Sequence, residues 1–102
     1  MSAIKVTNWT LSDRYRAIEV PVTVARGAAP QHVIEVLKRV AANHPGVTKE
    51  PVPQAYAVSF SSNTVIFNLR AWTERYEDWV QVRSDLSVAV DEALIHENIT
   101  VA

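Results

Sequence analysis

The chain predicts an α+β fold, a ferredoxin-like split βαβ in the order β-α-β-β-α with room for a short final strand. Three observations carry this. Residues 15–25 alternate apolar and other side chains at period two. Residues 30–44 and 74–97 repeat their apolar positions at a helical period. Between them, two alternating runs are joined by the polar link Ser61-Ser62-Asn63. Two helices packed on one face of a mainly antiparallel sheet satisfy that order, and right-handed crossovers set its hand.

In residues 15–25, Ile18, Val20, Val22 and Val24 share one face and Ala17, Glu19, Pro21, Thr23 and Ala25 the other. That is a half-buried strand. Pro21 has no N–H, so the edge it faces is expected to be unpaired at that point. In residues 30–44, Val33, Ile34, Val36, Leu37, Val40 and Ala41 form the apolar side. Pro30 suits the first helical position, Ala29 is a poor cap, and Asn43-His44-Pro45-Gly46 is a strong stop.

Residues 54–61 alternate through Tyr56, Val58 and Phe60, and residues 64–73 through Val65, Phe67, Leu69 and Ala71 with Ile66, Asn68, Arg70 and Trp72 opposite. A short polar link between such runs signals a hairpin. For residues 74–97, Thr73 is the expected N-cap, with Glu74, Glu77 and Asp78 favoured by the helix dipole. At 100° per residue, Tyr76, Trp79, Val82, Leu86, Ala89, Val90, Ala93 and Leu94 fall in one core-facing arc. Asn98 suits a left-handed helix end, and Ile99, Thr100 and Val101 begin a strand pattern.

At 102 residues the chain is one domain with one core. Ten Lys+Arg against eleven Asp+Glu, without a basic cluster, give no support to nucleic-acid or membrane-surface binding. Zero Cys excludes a disulfide framework, a thiol nucleophile and a Cys metal site. The N-terminus lacks the apolar region and cleavage site of a signal peptide, which leaves the sequons Asn8-Trp9-Thr10 and Asn98-Ile99-Thr100 as chance matches. Residues 51–69 carry no charge, but their Pro, Ser and Asn content disqualifies them as a spanning helix.

Catalytic signals are weak. His32, His44 and His96 have no second ligand at helical spacing, and His96-Glu97 lacks the second His of a zinc-protease motif. Gly27 and Gly46 are the two glycines, too few for a phosphate-cradling loop. Ser59, Ser61, Ser62, Ser84 and Ser87 belong to no nucleophile motif, and Glu77-Asp78 suits a helix start better than acid/base work. No catalytic residue, metal ligand or cofactor site is assigned, and the protein is not expected to be an enzyme. An acylphosphatase-like site would need an anion loop around Arg26-Gly27, where Ala28-Ala29-Pro30 offers few N–H donors. Arg70 and Trp72 could stack bases on a sheet, but the paired aromatic strand motifs of an RNA-recognition fold are missing. A stand-alone regulatory or ligand-binding module stays open, since this fold hosts many such functions.

One feature has no place in the core. Val80, Val88 and Ile95 fall together on the far side of the last helix. They are either scattered surface apolar residues, which are ordinary, or a stripe at a subunit contact. With Arg70 and Trp72 they make up the candidate subunit-interface residues.

Ordered segments then carry a resemblance. Val6-Thr7-Asn8-Trp9-Thr10-Leu11-Ser12-Asp13 followed by Ile18-Glu19-Val20-Pro21-Val22, the run from Pro30 to His44 with Pro45-Gly46-Val47, Asn68-Leu69-Arg70-Ala71-Trp72-Thr73, and Asp78 to Leu86 resemble the small-conductance mechanosensitive channel family (MscS type) in the expected order. The resemblance implies that residues 1–12 are the remnant of a preceding β-domain and linker, and residues 13–102 the carboxy-terminal α/β domain. It implies a non-catalytic vestibule domain on the cytoplasmic side of the inner (plasma) membrane, within a longer integral membrane protein. In that family seven subunits surround a chamber with side portals, and membrane tension opens a pore for ions and small solutes during hypo-osmotic shock. The pore helices lie outside these 102 residues, so the chain is expected to be a soluble fragment that contacts the membrane only through the missing part. Two departures are that it stops at Ile99-Thr100-Val101-Ala102, where the family continues into a barrel strand, and that Gly27-Ala28-Ala29-Pro30 lacks the usual polar cap.

Overall fold

The computed structural model describes residues 15–102, apart from the side chain of Tyr76. The expected remnant over residues 1–12 lies outside the described residues. The described elements are β1 (Arg16–Ala25), α1 (Pro30–Ala42), β2 (Gln54–Phe60), β3 (Thr64–Thr73), a 3-10 turn (Tyr76–Asp78) and α2 (Trp79–His96). The strands form an antiparallel sheet in the order β1-β3-β2. A bridge between Val24 and Val101 adds the start of a further antiparallel strand beside β1. There the Ala25 N–H donates to Thr100 O at 2.9 Å and the Ala102 N–H to Thr23 O at 3.0 Å. The α+β ferredoxin-like fold is therefore the observed one, with the final segment present as a single bridge beside β1.

The same bonds explain Pro21. Backbone groups on a strand point alternately to its two neighbours. Thr23 and Ala25 point to the outer edge, so Pro21 does too, and its missing donor falls where no partner strand lies among the described residues.

The register sets Ile18 opposite Ala71, Val20 opposite Leu69, Val22 opposite Phe67 and Val24 opposite Val65, all buried. Val33, Val36, Leu37 and Ala41 of α1 and Val82, Leu86, Val90 and Leu94 of α2 close over this face. Helix α1 packs on β2 and β3, and α2 on β1. The opposite face of the sheet carries no helix among the described residues.

Three local features depart from the periodicity. In β2 the core-facing residues are Ala55 and Ala57, opposite Leu69 and Phe67, whereas Tyr56, Val58 and Phe60 are exposed. The pairing with β3 sets the phase, and a bulge between Ala57 and Ser59 leaves Val58 as the extra residue. Small side chains there leave room for α1. Second, α2 starts at Trp79, and Thr73 does not cap it. Thr73 is the buried last residue of β3, paired with Arg16, and its Oγ1 accepts the Arg75 N–H at 3.0 Å. That local turn competes with helix. Third, α1 stops at Ala42, two residues short of His44.

The end of α2 follows expectation in detail. Asn98 has φ 61. Its N–H donates to Ile95 O at 3.0 Å, and the Ile99 N–H donates to Leu94 O at 2.9 Å. This is a Schellman cap, completed by burial of both Leu94 and Ile99.

Candidate functional site

Helix α2 has two faces. Val82, Leu86, Val90 and Leu94 recur every four residues and are buried. Val80, Val88 and Ile95 stand roughly 150° away at 100° per residue, and are 62%, 54% and 63% exposed. The charged residues beside them, Asp85, Asp91 and Glu92, are exposed acids. Arg83 is directed the other way, its Nε donating to Glu19 O at 3.1 Å. The sequence-predicted stripe thus exists as an exposed apolar strip with acidic flanks.

Arg70 and Trp72 lie elsewhere, on the helix-free face of the sheet. Arg70 Nε donates to Glu19 Oε2 at 3.0 Å, its Nη2 donates to the same oxygen, and Asn68 Nδ2 donates to Glu19 Oε1 at 3.3 Å. The Arg70 hydrogen bond, then that of Asn68, then the Arg70 charge hold the Glu19 carboxyl below its ordinary value. Arg70 is committed to a cross-strand ion pair. Trp72 is half-buried opposite Ala17. The five candidate residues therefore form two groups on opposite faces of the domain.

Sequence reasoning missed a third surface. Val58 and Phe60 are 61% and 56% exposed at the β2 edge. The Arg26 guanidinium carbon lies 5.6 Å from the centre of the Phe60 ring. Absence of charge over residues 51–69 was the available signal. At the opposite end of the sheet, Arg16 lies 4.1 Å over the Trp79 ring. Glu97 joins the two helices, accepting from Arg39 Nη2 at 3.1 Å and lying 3.3 Å from His32 Nε2. His44 serves its turn, where its Nδ1 accepts the Gly46 N–H at 3.1 Å.

Among the described residues the surface carries open grooves. One of about 370 Å³ runs between the outer edge of β1 and α2, and one of about 470 Å³ lies between the two helices. Among the described residues, no group of three or more His, Cys, Asp or Glu could hold a metal ion, and no helix is long and apolar enough to cross a membrane.

Residues 18–101 match the family described as "Mechanosensitive ion channel MscS, C-terminal". The chain belongs to this family. An uncharacterized MscS family protein of Haemophilus influenzae is 30% identical over 98 residues, covering 96% of this chain and 9% of that protein. The mechanosensitive channel MscK of Escherichia coli is 30% identical over 74 residues, covering 72% of this chain and 7% of that protein. The chain spans less than a tenth of the length of these two relatives. Among solved structures, Helicobacter pylori MscS in its closed state superposes with a TM-score of 0.75 at 23% identity, covering 87% of this chain and 35% of that one. Arabidopsis thaliana MSL1 gives 0.76 at 10% identity, covering 87% and 34%. At these identities the structural likeness shows the fold. This member of the family is a small α+β unit with exposed apolar surfaces.

Proposed function

We propose that this domain is the cytoplasmic part of a mechanosensitive channel subunit, and that it joins copies of itself into the cage beneath the pore. In this reading the parent protein lies in the inner (plasma) membrane and releases ions and small solutes when tension opens it. Residues 1–12 are the tail of the preceding β-domain. The family match over residues 18–101 carries the reading. The exposed Val80, Val88 and Ile95 support it, because an apolar strip is what a subunit contact covers. Seven subunits is the number the family resemblance implies.

The test is made on the full-length protein, expressed in bacteria lacking their own mechanosensitive channels. Survival of hypo-osmotic shock and tension-gated currents in membrane patches are expected, with native mass spectrometry giving the subunit number. Patches that contain the protein yet stay silent up to the lytic tension would overturn the channel role. A purified full-length monomer would overturn the assembly role.

A further inference from the structure

Two exposed apolar surfaces lie on opposite flanks of the domain. One is the outer face of α2, with Val80, Val88 and Ile95 at 62%, 54% and 63% exposure. The other is the end of β2, where Phe60 is 56% exposed. β2 forms one border of the sheet and α2 packs on β1 at the other side.

Their charges are of opposite sign. On α2 itself the exposed acids beside the strip are Asp85, Asp91 and Glu92; Arg83 is turned away to Glu19 O, and Arg39 of α1, which shares a groove with Glu92, is paired with Glu97. Around Phe60 the nearby charge is Arg26, 5.6 Å from its ring centre. Arg26 donates to the Ser61 carbonyl at 3.3 Å and has no carboxylate partner among the described residues. A cation over an aromatic ring strengthens when water is excluded.

Resting on the assembly reading above, we propose that neighbouring copies of this domain meet head to tail, the Arg26–Phe60 edge of one against the Val80–Val88–Ile95 face of the next. Charge complementarity selects a second copy in this orientation. Joining the α2 face to itself would set Asp85, Asp91 and Glu92 against the same acids, and like charges across an interface suppress that pairing. Contact between two different patches on opposite flanks propagates around a ring rather than stopping at a dimer.

The experiment uses the full-length protein in membranes, in a background without other cysteines, since residues 1–102 contain none. Phe60→Cys and Val88→Cys are made singly and together and treated with a short bismaleimide. A ladder of cross-linked multimers is expected from the double variant, with monomers from each single variant. In the double-cysteine background, Arg26→Asp is expected to lower the multimer yield about tenfold, and adding Asp91→Arg to restore most of it. Dimers from Val88→Cys alone would overturn the proposal, as would cross-linking only to another protein. Absence of the ladder in a protein that native mass spectrometry finds oligomeric would overturn this contact and leave the assembly reading standing. A monomer in both measurements would overturn both.

Discussion

Gly46 lies against Val82: a side-chain carbon added at Gly46 would come 3.0 Å from Val82 Cγ1 and 3.2 Å from Cγ2. The turn after α1 therefore packs backbone directly onto α2. Gly46→Ala is expected to destabilise the domain by about 1–3 kcal/mol through overpacking. Combining it with Val82→Ala should remove part of that penalty. Urea unfolding of the two single variants and the double variant measures the coupling; strict additivity would contradict the contact.

Leu86 and Val88 are two residues apart on α2 and face opposite ways. Leu86→Ala should cost about 2–5 kcal/mol, because it empties part of a fully buried site. Val88→Ser should change the stability of the isolated domain by less than about 0.5 kcal/mol. Its effect is expected in the oligomeric state of the full-length protein, read by native mass spectrometry.

Asn98 holds the left-handed position of the Schellman cap, with φ 61. Asn98→Gly is expected to preserve stability. Asn98→Ala should lose about 1 kcal/mol, since a Cβ without a polar side chain is disfavoured there. Thermal melts of the two variants distinguish this from a role for the Asn side chain itself, which would make both changes equally costly.

The Glu19–Arg70 pair gives a pH signature. The folded-state carboxyl is held below its ordinary value by the Arg70 and Asn68 hydrogen bonds and the Arg70 charge. Its stabilising contribution is thus fully present above the unfolded-state pKa and is lost as pH falls through the folded-state one. Exposure keeps the effect small and sensitive to salt. Urea midpoints followed through the acidic carboxylate range should fall less steeply in Glu19→Gln than in the unsubstituted domain, and the difference should shrink in high salt.

The candidate interface was partly legible in the chain. Val80, Val88 and Ile95 separate from Val82, Leu86, Val90 and Leu94 by helical geometry alone. The role of Arg70 was not, because its partner Glu19 lies 51 positions away and meets it through strand register. The Arg26–Phe60 edge was hidden for the same reason: Arg26 follows β1 and Phe60 ends β2, and folding brings the two ends together.

Element order, the inward set Ile18, Val20, Val22 and Val24, the left-handed Asn98 and the bond-free phase of Pro21 can be read along the chain, because period, cap chemistry and a missing N–H are local properties. Family membership was legible in the same way, from segments in order. Folding had to choose which side chains of β2 turn inward and whether Thr73 caps a helix or finishes a strand. Both depend on pairing with residues distant in sequence: Leu69 and Phe67 set the phase of Ala55 and Ala57, and Arg16 holds Thr73 in the sheet. The apolar alternation of Tyr56, Val58 and Phe60 does not state its own phase; pairing turns Ala55 and Ala57 inward, and the bulge leaves Val58 exposed.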